Sequence, residues 1–184
     1  MLLYTIGVET YKKYIHSIEL WGNMQIFRVA LFGHREIADL RGLEDKIVSV
    51  TKKLILAKEY VTFLVGRNGD FDVSCASVIK RVQREIGKDN SDITLVLPYE
   101  VKDIEYYEKY YDSIIIPSSI FKAHWKRAIT LRNQWMVEEA DLIIFYVSRI
   151  SGGSYQTMKY AKSLGKNIIN LCDEFKDWHQ NGMI

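Results

Sequence analysis

Two cysteines and two prolines are all that this chain of 184 residues contains. Cys75 and Cys172 each lie in an apolar stretch, so they read as buried free thiols of a reducing compartment rather than a disulfide. Pro98 and Pro117, with eleven glycines, leave little room for a long linker. No apolar run approaches the roughly 20 residues of a membrane span. The N-terminus lacks the charged and apolar regions of a secretion signal. A cytoplasmic location without membrane contact follows by elimination. The net charge of +2 is no domain-wide basic excess, which argues against nucleic acid as a partner. The chain also lacks a G-x-x-x-x-G-K-[ST] loop, a complete G-x-G-x-x-G, H-E-x-x-H, paired C-x-x-C and G-x-S-x-G. A P-loop ATPase and a standard nicotinamide dehydrogenase are thereby set aside. His16, His34, His124 and His179 show no metal-ligand spacing, so neither a metal nor a resident cofactor is expected.

What the chain does have is apolar runs alternating with amphipathic ones. Strands are expected at 27–32, 61–65, 92–97, 113–116, 142–147 and 167–171. Between them, Leu40, Leu43, Ile47, Val50 and Leu54 mark one helical face, and Phe71, Cys75, Val78, Val82 and Ile86 another. A long helix is expected from about Lys122 to Glu139 and a further one from Ser154 to Leu164. Continuously apolar strands separated by helices give an α/β fold. Its sheet is doubly wound and mostly parallel, in a Rossmann-like three-layer sandwich. Residues 24–184 form one such domain. Residues 1–23 stand outside the rhythm, as an extension with a candidate helix over Val8–Leu20 or an oligomer contact, and Met24 is a candidate natural start.

Ligands of open parallel sheets bind beyond the carboxyl ends of the strands. There the sequence places Gly33-His34-Arg35, Gly66-Arg67-Asn68-Gly69-Asp70, Pro98-Tyr99 and Ser151-Gly152-Gly153-Ser154. The last of these, between a strand and a helix, has the form of a phosphate-binding turn. Ser154 is the expected N-cap of its helix, and Asp70 that of the helix after the second strand. Thr157 lies one turn further in. Arg132 falls in the middle of the stripe Trp125, Ala128, Ile129, Met136 and Ala140, with Asn133 at its edge. A guanidinium on a buried face needs an anion, either a carboxylate such as Glu36 or Asp70, or a ligand phosphate. Lys80, Arg81 and Arg84 read as a solvated helix face.

These stretches, over about residues 27–171, resemble the SLOG superfamily, the Rossmann-like domains named after the Smf/DprA and LOG proteins. The resemblance rests on Val29–Arg35, Phe63–Asp72, Arg132–Val137 with Ala140-Asp141, and Gly152-Gly153-Ser154 with Thr157 and Ala161. It is closest to short stand-alone members from bacteria and phages. It implies a site for nucleotides or nucleotide-derived molecules at the strand ends. The LOG enzymes cleave the N-glycosidic bond of nucleoside monophosphates with a glutamate in P-G-G-x-G-T-x-x-E. Here Ser151 replaces the proline, Ser154 follows the paired glycines and Tyr160 ends the stretch, so the glutamate is missing. Arg132 matches the arginine those enzymes place beside the phosphate, and Asn133 replaces their lysine.

The expectation is therefore a nucleotide-like ligand bound by Gly33, His34, Arg35, Gly66, Arg67, Asn68, Gly69, Asp70, Arg132, Asn133, Gly152, Gly153, Ser154 and Thr157. The protein would act as sensor or carrier, with no catalytic residue assigned. An N-glycosidase using Glu36, Asp70 or Glu138 is the alternative, and a DNA-binding or assembly module like the Smf/DprA relatives the third reading.

Overall fold

The computed structural model describes residues 24–87, 89–121 and 123–172. The expected extension over 1–23 and its helix lie outside the described residues. From Ile26 the chain alternates strand and helix: β1 (Ile26–Gly33), α1 (Leu40–Ala57), β2 (Tyr60–Val65), α2 (Asp70–Ile86), β3 (Ser91–Val96), α3 (Ile104–Glu108) and β4 (Ser113–Ile115). A single 3-10 turn (Ser118–Ile120) leads to α4 (Trp125–Glu139), β5 (Leu142–Tyr146), α5 (Gly153–Ser163) and β6 (Asn167–Asn170). Lys122, the expected start of the long helix, lies outside the described residues.

The six strands form one sheet in the order β4-β3-β2-β1-β5-β6, and every pairing is parallel. β1 sits inside, with Val29 opposite Phe63 of β2 and Leu142 of β5. Parallel strands buried on both faces carry apolar side chains at successive positions, which explains the unbroken runs in the sequence. Val29, Leu31, Phe63, Val65 and Ile144 point to one face. There they meet Leu43, Ile47, Val50 and Leu54 of α1 and Phe71, Cys75, Val78 and Val82 of α2. Ala30, Phe32, Leu64, Val96, Ile143 and Phe145 point to the other, onto Met136, Val137 and Ala140 of α4 and Met158 and Ala161 of α5. Phe32 stacks on Phe145 with ring centroids 5.5 Å apart. Each such side chain contributes about 1.5–3 kcal/mol on full burial, so the two layers hold the sheet rigid beneath its loops.

Cys75 is a buried free thiol and Cys172 a half-buried one. No described helix is long and apolar enough to cross a membrane. From β1 the chain winds outward through β2, β3 and β4, then returns by α4 to lay β5 on the opposite flank of β1. The winding direction reverses there, and the loops leaving β1 and β5 turn to opposite faces of the sheet, the place where open parallel sheets form their ligand crevice.

Candidate functional site

Gly33 ends β1 at that crevice. A Cβ on it would lie 2.2 Å from Phe71 Cγ, so only glycine lets the Phe71 ring pack under the strand end. The Gly33 carbonyl accepts a hydrogen bond from Ser154 Oγ, which ties the first turn of α5 to β1. Ser154 is therefore not the N-cap expected of it. That position belongs to Gly152, at φ +89°, with no side-chain cap. The loop after β5 enters α5 through a left-handed residue, and glycine takes that conformation without Cβ strain.

Gln156 N–H is the first to enter the α5 ladder, donating to Gly152 O at 3.1 Å. The N–H groups of Gly153, Ser154 and Tyr155 precede that bond, and no acceptor meets them among the described residues. A Cβ added at Gly152 or Gly153 meets nothing within 4 Å, so the turn faces open space. Free N–H groups and the positive end of the helix dipole together suit an anion. Thr157 Oγ1 donates back to Gly153 O at 2.9 Å and accepts from Asn133 Nδ2 at 3.2 Å. The two side chains brace the turn against α4 instead of facing outward. Asn133 Oδ1 is buried with no partner.

His34 is buried, and its Nε2 accepts the N–H groups of Ser148 (3.0 Å) and Arg149 (3.3 Å). An accepting Nε2 places the proton on Nδ1. The imidazole thus holds the loop between β5 and α5 in place. Burial, and then the Arg149 charge, keep its pKa below the ordinary value of 6.5. The neutral form belongs to the folded state, so this tie is complete above pH 6.5 and is lost as pH falls through the lowered folded value. An NMR titration of the imidazole should place His34 below 6.5, and Arg149→Ala should move it upward. An unchanged value in that variant would refute the assigned coupling.

Arg35 is exposed beside this crevice, while its carbonyl accepts from Asp70 N–H at 2.7 Å. Gly69, at φ +108°, presses against it: a Cβ there would lie 2.6 Å from Arg35 Cα. The loops after β1 and β2 are thereby clamped together. Gly69, not Asp70, is the N-cap of α2. The Asp70 carboxylate instead accepts from Ile37 N–H at 3.0 Å, a structural tie.

A second cluster lies at the ends of β2 and β3. Arg132 is only 7% exposed, and its Nη1 donates to Val96 O at 3.1 Å. Its Nε, like that of Arg67, is buried with no partner. The acid that faces Arg132 is Asp72, on the first turn of α2, rather than Glu36 or Asp70. A Cβ at Gly66 would lie 2.5 Å from Asp72 Oδ2 and 2.8 Å from Arg132 Nη1, so the bare α-carbon is what admits both groups. Asp72 Oδ2 accepts from Asn68 N–H at 2.8 Å. Burial pushes the Asp72 carboxyl up to about 6, against the pull of Arg132, the Asn68 N–H and Arg35. Burial likewise lowers the Arg132 pKa, with Asp72 opposing, Arg67 adding to the fall and Tyr99 opposing. Arg67 Nη1 donates to Tyr107 Oη at 3.1 Å, which fixes its side chain.

The edge thus gathers Gly33, His34, Arg35, Gly152, Gly153, Ser154 and Thr157 around the β1–β5 crevice, and Gly66, Arg67, Asn68 and Arg132 around the β2–β3 ends. Asn133 bridges toward the first group and Gly69 and Asp70 join the loops. Three strand spacings, about 14 Å, separate the end of β3 from the end of β5. Asp72 and Tyr99 complete the second group; the sequence placed Tyr99 at this edge without a role, and Asp72 was not among the candidates. A pair of acids in the first turn of a helix carried the only signal for Asp72. Glu138 takes a hydrogen bond from Tyr160, and its carbonyl binds Lys166 beside the start of β5, at the far end of the sheet. The basic face of α2 is internally engaged: Lys80 with Asp112, Arg81 with Glu44, Arg84 with the Lys80 carbonyl.

Fold and edge together define a doubly wound Rossmann-like domain whose polar loops gather at the carboxyl edge of the sheet. No family model and no curated protein matches the chain. Among solved structures it is similar to DNA processing protein A (DprA) from Helicobacter pylori, with TM-score 0.53 and 12% identity over 77% of this chain. It is also similar to DprA from Streptococcus pneumoniae, with TM-score 0.59 and 13% identity over 86% of this chain. The chain spans 63% and 54% of the length of those two proteins. The likeness shows the Rossmann-like fold that the chain shares with these proteins. It also corrects the case against nucleic acid drawn from net charge, because the Helicobacter protein of this fold binds single-stranded DNA. A small overall charge says nothing of where the arginines gather.

Proposed function

We propose that this domain binds single-stranded nucleic acid along the carboxyl edge of its sheet. One phosphate sits on the free N–H groups of Gly153, Ser154 and Tyr155, flanked by Arg35 and Arg149, and another reaches Arg67 and Arg132. The carrying observation is the pair of separated cationic sites on one edge. About 14 Å between strand ends is too far for one phosphate to touch both, so the ligand that fits carries more than one. The shared fold with a single-stranded DNA-binding protein supports the same reading. A small nucleotide at the β1–β5 crevice is the second reading, favoured by the position of that crevice at the reversal of winding.

Fluorescence anisotropy with a labelled oligothymidine at increasing salt tests the proposal. Affinity should fall with log salt at a slope of about −0.7 for each phosphate neutralised. The double variant Arg35→Ala, Arg149→Ala should weaken binding and flatten that slope. Absence of oligonucleotide binding at low salt, with mononucleotides still binding, would leave only the second reading standing.

A further inference from the structure

The second cluster pairs two cations with one built-in anion, and that ratio decides which phosphates it can take. Arg132 is buried and holds an unpartnered Nε; Arg67 is half-buried with an unpartnered Nε of its own. Asp72 stands against Arg132 across the bare α-carbon of Gly66. We propose that Asp72 is a specificity-determining residue: it sets this subsite to one net positive charge, so that the site accepts the phosphodiester inside a strand and rejects the phosphomonoester of a free nucleotide or a strand end.

The inference rests on the nucleic-acid reading and names its substrate class. A diester carries one negative charge, whereas a monoester carries about 1.5–2 at pH 7. With Asp72 ionised, the two guanidiniums and one carboxylate leave a single charge to be met. A diester meets it, and a dianion brings its second charge against Asp72 in a desolvated place, where like charges repel strongly. The other groups that act on Asp72 do not change the balance. Asn68 contributes a neutral N–H, Arg35 is exposed and screened by solvent, Cys75 is a buried thiol whose pKa is raised, and Tyr111 is a phenol whose ionisation is pushed up in turn. The subsite is thereby unlike the α5 turn, where no carboxylate is hydrogen-bonded to the free N–H groups among the described residues.

The test is competition against the labelled oligothymidine at pH 7.5. The competitors are thymidine 5′-monophosphate and its 5′-methyl diester, each to millimolar concentration, on the wild type and on Asp72→Asn. Asparagine keeps an acceptor for the Asn68 N–H, so the loop is preserved. The diester should be the better competitor for the wild type. The substitution should improve the monoester about tenfold more than the diester, the change expected of one charge acting at about one pKa unit. The inference is overturned by a wild-type preference for the monoester, by equal gains for both competitors, or by no competition from either. Intact oligothymidine binding with any of those results spares the nucleic-acid reading; loss of oligothymidine binding by the wild type defeats both.

Discussion

Gly33→Ala should lower the melting temperature by roughly 2–12 °C. The added methyl would lie 2.2 Å from Cγ, 2.5 Å from Cδ2 and 2.7 Å from Cβ of Phe71. Phe71 is 1% exposed and stacks against Tyr146, with centroids 6.3 Å apart, so the ring cannot swing clear. Overpacking a closed core costs about 1–3 kcal/mol, occasionally more. In a domain of this size each kcal/mol is worth about 2–4 °C. The same displacement would move the carbonyl that holds Ser154 and so loosen the α5 turn. Thermal melting followed by circular dichroism measures the first effect, and oligonucleotide anisotropy the second. A variant that melts with the wild type would show that the core around Phe71 yields, contrary to its burial.

Asp72→Asn should act in the opposite direction and with comparable size. A carboxyl raised to about 6 from an ordinary 3.8 favours the protonated form in the folded protein. At pH 7 the group is ionised in both states, and keeping it so in a desolvated site costs folding about 3 kcal/mol. This penalty is absent below pH 3.8, grows between 3.8 and about 6, and is constant above. The amide should therefore stabilise the protein fully above pH 6, with the gain shrinking to nothing as pH falls toward 3.8. Removing Arg132 instead strips Asp72 of its compensating charge, so Arg132→Ala should be less stable at pH 7 than at pH 5. Melting curves from pH 4 to 8 separate these cases. A Asp72→Asn protein less stable than the wild type at pH 7 would show the carboxylate to be a net contributor to folding.

A charge retained at such a cost fits a demand other than stability, the binding proposed for this site. The sequence pointed to one half of that demand. Arg132 was visible because a guanidinium in the middle of the stripe Ala128–Met136–Ala140 conflicts with its surroundings, and burial at 7% exposure bears out the conflict. Asp72 was not visible, because Asp70 and Asp72 look alike on the first turn of α2. Only the packing of α4 against the ends of β2 and β3 distinguishes the acid that meets Arg132 from the one that bonds Ile37. The strands were legible for a similar reason: burial on both faces writes itself as continuous apolar runs such as Leu142–Tyr146. Trp125 shows the limit of the same logic. It completes the stripe on paper but, at the first residue of the helix, is 64% exposed. Ser-Gly-Gly-Ser offered two glycines for one turn, and the left-handed backbone at Gly152, a property of the loop path, chose between them. The role of His34 likewise depends on where the loop from β5 returns, which no local pattern specifies.

The pairing of β1 with β5 joins Val29 to Leu142 and Gly33 to Tyr146, contacts spanning more than a hundred residues of chain. The β1–β2 pairing joins Ile26 to Tyr60 and closes a far shorter loop. Closure entropy makes distant pairings the slower ones to form, so the second half of the sheet is expected to dock late during folding. The place where the free N–H groups of α5 stand beside the end of β1 comes into being only at that docking. On the function proposed here, a half-folded chain would not engage the ligand, and a bound strand would shield the folded chain from proteases by fastening its two halves together.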